Sequence, residues 1–292
     1  MKKIIFIAIM ALGIIFVACD DDDVVMTTKN LTLSIDGLEN LGSAYVYEGW
    51  IIVDNKPQST GRFSVDDEGK LSRELFVINK IELAVATAFI LTIEPALGDD
   101  PAPSSVHLLA GNFSGNTGNL TIDHGLAIGN DFNTAAGSYI LATPTDGSMN
   151  NENSGIWFLS IESMSPVAGL MLPLLPDGWV YEGWAVIDGV PVSTGTFSMN
   201  TGKDSFDGYS SQMYEGPPFP GEDFLMNPPD GLTFPTDLAG GKAVISIEPV
   251  PDTNPGPFLL KPLVGMIPTD AEDHKSYLLG KNLNFPVGTV SR

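Results

Sequence analysis

Few residues of the chain stand at spacings that do chemistry. The histidines are His107, His124 and His274, and no two of them have ligand spacing. A zinc or blue-copper centre needs several N and S donors converging, and the single cysteine, Cys19, lies far from all three. His124 and His274 each follow an aspartate, Asp123 and Asp273, as surface pairs do. No G-x-S-x-G elbow occurs. Gly240-Gly241-Lys242 has the ending of a phosphate loop, yet Ala243 stands where a hydroxyl is needed and Thr236 where the first glycine belongs. Asp66-Asp67-Glu68 and Asp270-x-Glu272-Asp273 lack calcium-loop spacing and read as solvated acidic loops. With 36 acidic residues, glycosidase-like carboxylate pairs arise by chance. The sequence therefore supplies no catalytic residue and no metal site, implies no cofactor, and points away from an enzyme.

Cys19 is the exception. Lys2 and Lys3 precede an apolar run from Ile4 to Ala18. That run is shorter than the roughly 20 residues of a membrane-spanning helix and has the make-up of an export signal. Phe16-Val17-Ala18-Cys19 resembles the bacterial lipobox, with Phe16 in place of the commoner leucine. The expectation is a lipoprotein signal peptide over 1–18 and lipid on Cys19; two or more acyl chains anchor stably. Asp20 to Asp23 make residues 19–29 an acidic stem, solvated by self-repulsion. Such a run also resembles a surface-sorting signal, so outer membrane or cell surface is expected over inner membrane.

The elements behind these residues are strands. The formal net charge is −22, from 36 acidic and 14 basic residues, which excludes nucleic acid as a partner because phosphate binding runs on Lys and Arg. Short runs rich in Val, Ile, Thr and aromatics alternate with Gly, Pro, Asn and Asp, without helical periodicity, and predict an all-β sandwich. Strands are expected at Leu31–Ile35, Ala44–Val53, Gly61–Val65, Ile81–Ile93, Tyr139–Thr143, Ile156–Ile161, Val180–Ile187, Thr196–Met199 and Ala243–Ile247.

The same unit occurs twice. YVYEGWIIVDNKPQSTGRFSV at 45–65 and WVYEGWAVIDGVPVSTGTFSM at 179–199 share 12 of 21 positions at an offset of 134. Ile93-Glu94-Pro95 answers Ile247-Glu248-Pro249, Leu108-Leu109 answers Leu259-Leu260, and Ser138-Tyr139-Ile140-Leu141 answers Ser276-Tyr277-Leu278-Leu279. The expectation is two tandem homologous β-sandwich domains, 30–150 and 155–292, with Asp146–Gly155 as linker. Parity places Tyr47 and Trp50 on opposite sheet faces, unless a bulge at Gly49 brings them together. Core packing is their expected role.

The run Tyr47-x-x-Trp50, Pro57-x-Ser59-x-Gly61-x-Phe63, Thr92-x-Glu94-Pro95 and Leu109-x-Gly111 resembles the extracytoplasmic domain of anti-sigma-K factors. Tyr181-x-x-Trp184, Pro191-x-Ser193-x-Gly195-x-Phe197 and Ser246-x-Glu248-Pro249 repeat it, with Pro262 near the place of the last glycine. The resemblance implies a β-sandwich with a sensing or protein-interaction role. The chain reads as that outer domain alone, duplicated and lipid-anchored, so direct contact with a cytoplasmic sigma factor is not expected. A non-catalytic envelope lipoprotein with a protein or polymer partner follows; a carbohydrate- or envelope-polymer-binding lipoprotein is the alternative.

By Ile247 the offset between the repeats has grown to 154, so the second holds about twenty extra residues within Asp204–Asp237. Pro217, Pro218, Pro220, Pro228, Pro229 and Pro235 exclude a central strand there. Tyr214, Phe219, Phe224 and Phe234 make this loop the candidate interaction surface; folding back on the second domain's own core is the competing expectation.

Overall fold

A computed structural model describes residues 27–147 and 150–292. The expected signal peptide, Cys19 and the expected stem as far as residue 26 lie outside them. The described chain is all-β, with one short α-helix, α1 (Lys80–Val85), and one 3-10 turn at Glu152–Ser154. Sixteen strands of three residues or more fall into two sets of eight. The first set is β1 (Thr28–Asp36), β2 (Tyr45–Val53), β3 (Lys56–Phe63), β4 (Leu75–Asn79), β5 (Ala88–Pro95), β6 (His107–Asn112), β7 (Thr117–Leu120) and β8 (Ala136–Leu141). The second is β9 (Gly155–Trp157), β10 (Trp179–Ile187), β11 (Val190–Phe197), β12 (Gly221–Asp223), β13 (Lys242–Pro249), β14 (Leu263–Met266), β15 (Tyr277–Lys281) and β16 (Val287–Ser291).

The eighth strand of each set pairs with the other set. One half has layers β3-β2-β5-β6 and β4-β1-β16-β7. The other has β11-β10-β13-β14 and β15-β8-β9-β12, joined edge to edge by β14–β15. Thus β16 lies between β1 and β7, and β8 between β9 and β15. The boundaries expected from the repeat cut across both pairings. Residues 150–155 form a tight connection between two neighbouring strands rather than a linker between bodies: Glu152 is buried and its carboxylate accepts the Thr143 N–H at 3.1 Å.

Two of the proposed sequence matches resolve differently. Ser138–Leu141 and Ser276–Leu279 are hydrogen-bonded neighbours, not equivalents. Register in β5–β6 and β13–β14 makes Leu109 answer Leu263 and Gly111 answer Gly265, so the glycine is kept and Leu259-Leu260 lies upstream of the true match. The expected strand Ile81–Ile93 begins as α1, because Asn79 Oδ1 caps the N–H groups of Ile81 and Glu82 at 2.9 and 3.4 Å.

Inside each half the repeat is exact in detail. Tyr47 stacks on Phe63 and Tyr181 on Phe197, both at 5.6 Å between ring centres. Their hydroxyls donate to carbonyls eight residues upstream, Glu39 O at 2.9 Å and Pro173 O at 2.7 Å. Tyr47 packs into the main core, whereas Trp50 lies on the opposite face with Ile90, Ala110 and Ala127. The irregularity beside Gly49 puts its extra residue, Thr60, on β3, so alternation along β2 is unbroken. Gly61 and Gly195, next to the extra residue in each copy, have φ of +118° and +122°, a conformation glycine adopts freely.

Candidate functional site

The second half differs from the first by what has been inserted into it. Between β11 and β12 the chain makes a loop, 198–220, where the first half crosses from β3 to β4 in 64–74. A smaller ribbon, with Leu159–Ser160 paired to Val167–Ala168, follows β9. These additions pack on the outer face of β8 and β9, where Ile140, Ala142, Trp157, Leu159 and Phe219 form a core of their own.

Buried acids fasten the loop down. Asp223 Oδ1 accepts Trp157 Nε1–H at 2.7 Å, and Oδ2 accepts the Thr145 N–H at 2.9 Å and its hydroxyl. Thr145 in turn accepts Ser211 N–H on Oγ1 and Tyr214 N–H on its carbonyl, both at 3.0 Å. Ser210 donates to Glu222, and Asp204 Oδ2 accepts the Gly221 N–H at 2.9 Å. Burial pushes Asp223 up to about 6, Asp204 to about 7 and Glu222 to about 8. The mutual repulsion of Asp204 and Glu222 adds to the effect on Glu222. No lysine or arginine forms an ion pair with these three among the described residues.

The result is a cleft of about 410 Å³. Trp157 and Phe219 close its floor, and Tyr214, Met213 and Phe206 stand at its rim with Asp207 and Glu215. Tyr214 is 58 % exposed and Met213 65 %. Lys203 meets Glu215 at 3.4 Å across exposed surface, a contact of little energetic weight. An exposed aromatic edge beside hydroxyls and carboxylates is suited to binding by stacking and hydrogen bonding.

The four loop aromatics part company. Phe219 is buried against Trp157. Phe224 is fully buried, and Phe234 packs on it at 5.5 Å, with Tyr209 touching both. Tyr214 alone faces the cleft from an exposed position. Thr145, Trp157, Asp204 and Asp223, which shape the site, do not stand out in the sequence. An Asp or Glu has no distinguishing mark among 36 of them, and Thr145 meets Asp223 across 78 positions.

Two of the three histidines meet at the backbone of Leu126. His107 Nδ1 lies 2.8 Å from Leu126 O, His124 accepts the Leu126 N–H at 3.2 Å, and His274 sits beside Asp273 at 2.8 Å. No cluster of three or more His, Cys, Asp or Glu among the described residues is arranged to hold a metal ion. The N–H groups of Gly240 and Gly241 are spent on Ile267 and Leu238 carbonyls, which leaves no anion cradle there. No family model, no curated protein and no solved structure matches the chain.

Proposed function

We propose that the protein is a non-catalytic lipoprotein of the bacterial cell envelope, held by lipid on Cys19, that binds an envelope partner through the cleft of its second half. The role is that of the anti-sigma-K outer domain it resembles, sensing or protein interaction, without contact to a sigma factor. One observation carries the reading. The second repeat has acquired about twenty residues that the first folds without, and the additions present Tyr214, Met213 and Phe206 at an open cleft. Stability does not require exposed apolar groups there, and grouped exposure of this kind marks interaction surfaces.

The test is a double variant, Met213→Ser with Tyr214→Ser, compared with the parent chain for the proteins recovered after crosslinking whole cells. Loss of a partner with an unchanged melting temperature supports the reading; unchanged recovery contradicts it. Tyr214 beside Asp204 and Asp207 also favours a second reading, a carbohydrate or polymer strand stacked on the tyrosine. In that case a glycan array, and not the protein crosslink, reports the loss.

A further inference from the structure

The two halves carry the same polar cluster on the outer face of their β2- and β10-centred sheets. Ser59 donates to Glu48, and Ser193 to Glu182. Trp50 Nε1 donates to Thr92 Oγ1 at 2.9 Å, and Trp184 Nε1 to Ser246 Oγ at 2.7 Å. Glu94 accepts the Ser104 N–H at 2.8 Å, and Glu248 the Phe258 N–H at 2.9 Å. Every one of these residues matches its counterpart at an offset of 134 or 154.

The copies differ by a cation. In the first, Arg62 reaches over the cluster with Nε 2.7 Å from Glu48 Oε2, another guanidinium nitrogen on Asp99, and a third directed to Pro95 O at 3.4 Å. In the second, the place of Arg62 belongs to Thr196, whose hydroxyl engages Ser205 Oγ at 2.8 Å, and the place of Asp99 to Thr253. Thr253 Oγ1 is buried with no hydrogen-bond partner. Glu182 and Glu248 keep their inherited bonds, with Asp252 added beside them. Burial raises Glu182 above the ordinary carboxylate range and Glu248 up to about 8. Burial lowers Lys261, which interacts first with Glu39 and then with Glu248. It forms no ion pair within 4.0 Å among the described residues.

We infer that Glu182, Asp252 and Thr253 form a binding site for an arginine side chain of a partner protein, entering as Arg62 enters the first copy. The fork of a guanidinium meets a carboxylate with two parallel donors and keeps a third for a neighbour, which is how Arg62 divides itself between Glu48, Asp99 and Pro95. A divalent ion fits less well, since no metal-holding group of acids is present among the described residues. The inference stands apart from the cleft and does not depend on it.

The experiment uses the full lipidated chain in detergent with ¹⁵N-labelled tryptophan, titrated with acetyl-Gly-Arg-Gly-amide. The Trp184 indole N–H, bonded to Ser246, reports on the site. Expected is a saturable shift that strengthens on the order of tenfold from pH 6 to pH 9 as Glu248 beside the site, pushed up to about 8 by burial, ionises. The citrulline peptide should not reproduce it. Thr196→Arg, which supplies the guanidinium internally, and Glu182→Gln should each abolish it, while Arg62→Ala should make the Trp50 indole respond as well. A parent chain without a saturable shift overturns the inference. So does a shift that survives Glu182→Gln, an equal response to citrulline, or tighter saturation by calcium than by the peptide.

Discussion

Tyr139 and Tyr277 stand directly opposite each other across the antiparallel pair β8–β15, their rings stacked at 5.6 Å. Each heads a Ser-Tyr-apolar-Leu run, and the likeness of the runs suits them to face one another. The pairing shows that β8, which follows seven strands of the first half, is built into the second. The debt is returned by β16, which closes the first half between β1 and β7.

This reciprocal crossing predicts which pieces fold. A chain of residues 136–286 holds every strand of its sandwich and should unfold cooperatively in urea. A chain of residues 24–150 lacks β16, leaving the edges of β1 and β7 open, and should do so only after a peptide of residues 286–292 is added. Cooperative unfolding of 24–150 alone, with the peptide having no effect, would refute the crossing.

Close approach at two glycines predicts a packing cost. A Cβ on Gly49 would come 2.6 Å from Phe89 Cζ, and one on Gly183 2.6 Å from Phe158 Cε2. Gly49→Ala and Gly183→Ala should each cost about 1–3 kcal/mol by overpacking. Trp50→Ala and Trp184→Ala, which empty buried sites and remove the indole donors to Thr92 and Ser246, should cost about 3–5 kcal/mol. Urea midpoints measure all four; alanines that leave the midpoint unchanged would place these positions at the surface.

The acids beneath the cleft predict a pH dependence with a definite sign. Asp204, Glu222 and Asp223 hold protons more tightly folded than unfolded, since their folded values are about 7, 8 and 6. Their stabilising share is complete below the unfolded value of about 4 and drains away as pH rises through 6 to 8. The melting temperature should therefore be higher at pH 5 than at pH 8.5, and Glu222→Gln should flatten the slope. A melting temperature that rises from pH 5 to pH 8.5 would contradict the burial of these groups.

The proposed anchor predicts a labelling result. Cys19→Ala should leave the leader uncleaved by the lipoprotein peptidase and remove incorporation of a palmitate analogue. Labelling that persists in the variant would show that the lipid is carried elsewhere and would contradict the anchor on Cys19.

Alternation and repetition made much of the fold legible. Val46–Val53 and its copy at 180–187 are strands because apolar and β-branched residues fill both faces, and the shared Y-x-x-W and S-T-G-x-F runs fix their partners. Helix α1 was hidden because Ile81, Leu83 and Val85 alternate like a strand, and only the Asn79 cap marks the start. The strand crossing left no local trace, since β16 reads the same whichever sheet receives it. At the candidate site the insertion was visible as a change of offset, but not which aromatics face inward. Phe224 and Phe234 are drawn together with Tyr209 by tertiary packing, whereas Tyr214 lies over Gly147 and stays exposed.

The proposed partner binds at the cleft of the second half. The most direct measurement replaces Tyr214 with a photoreactive phenylalanine in cells and compares the adducts with those from the same residue at Val77, an exposed position of β4 in the first half. Expected is a discrete adduct from position 214, competed away by excess protein carrying native Tyr214, and none from position 77. No adduct from position 214, or the same adducts from both positions, would contradict binding at the cleft.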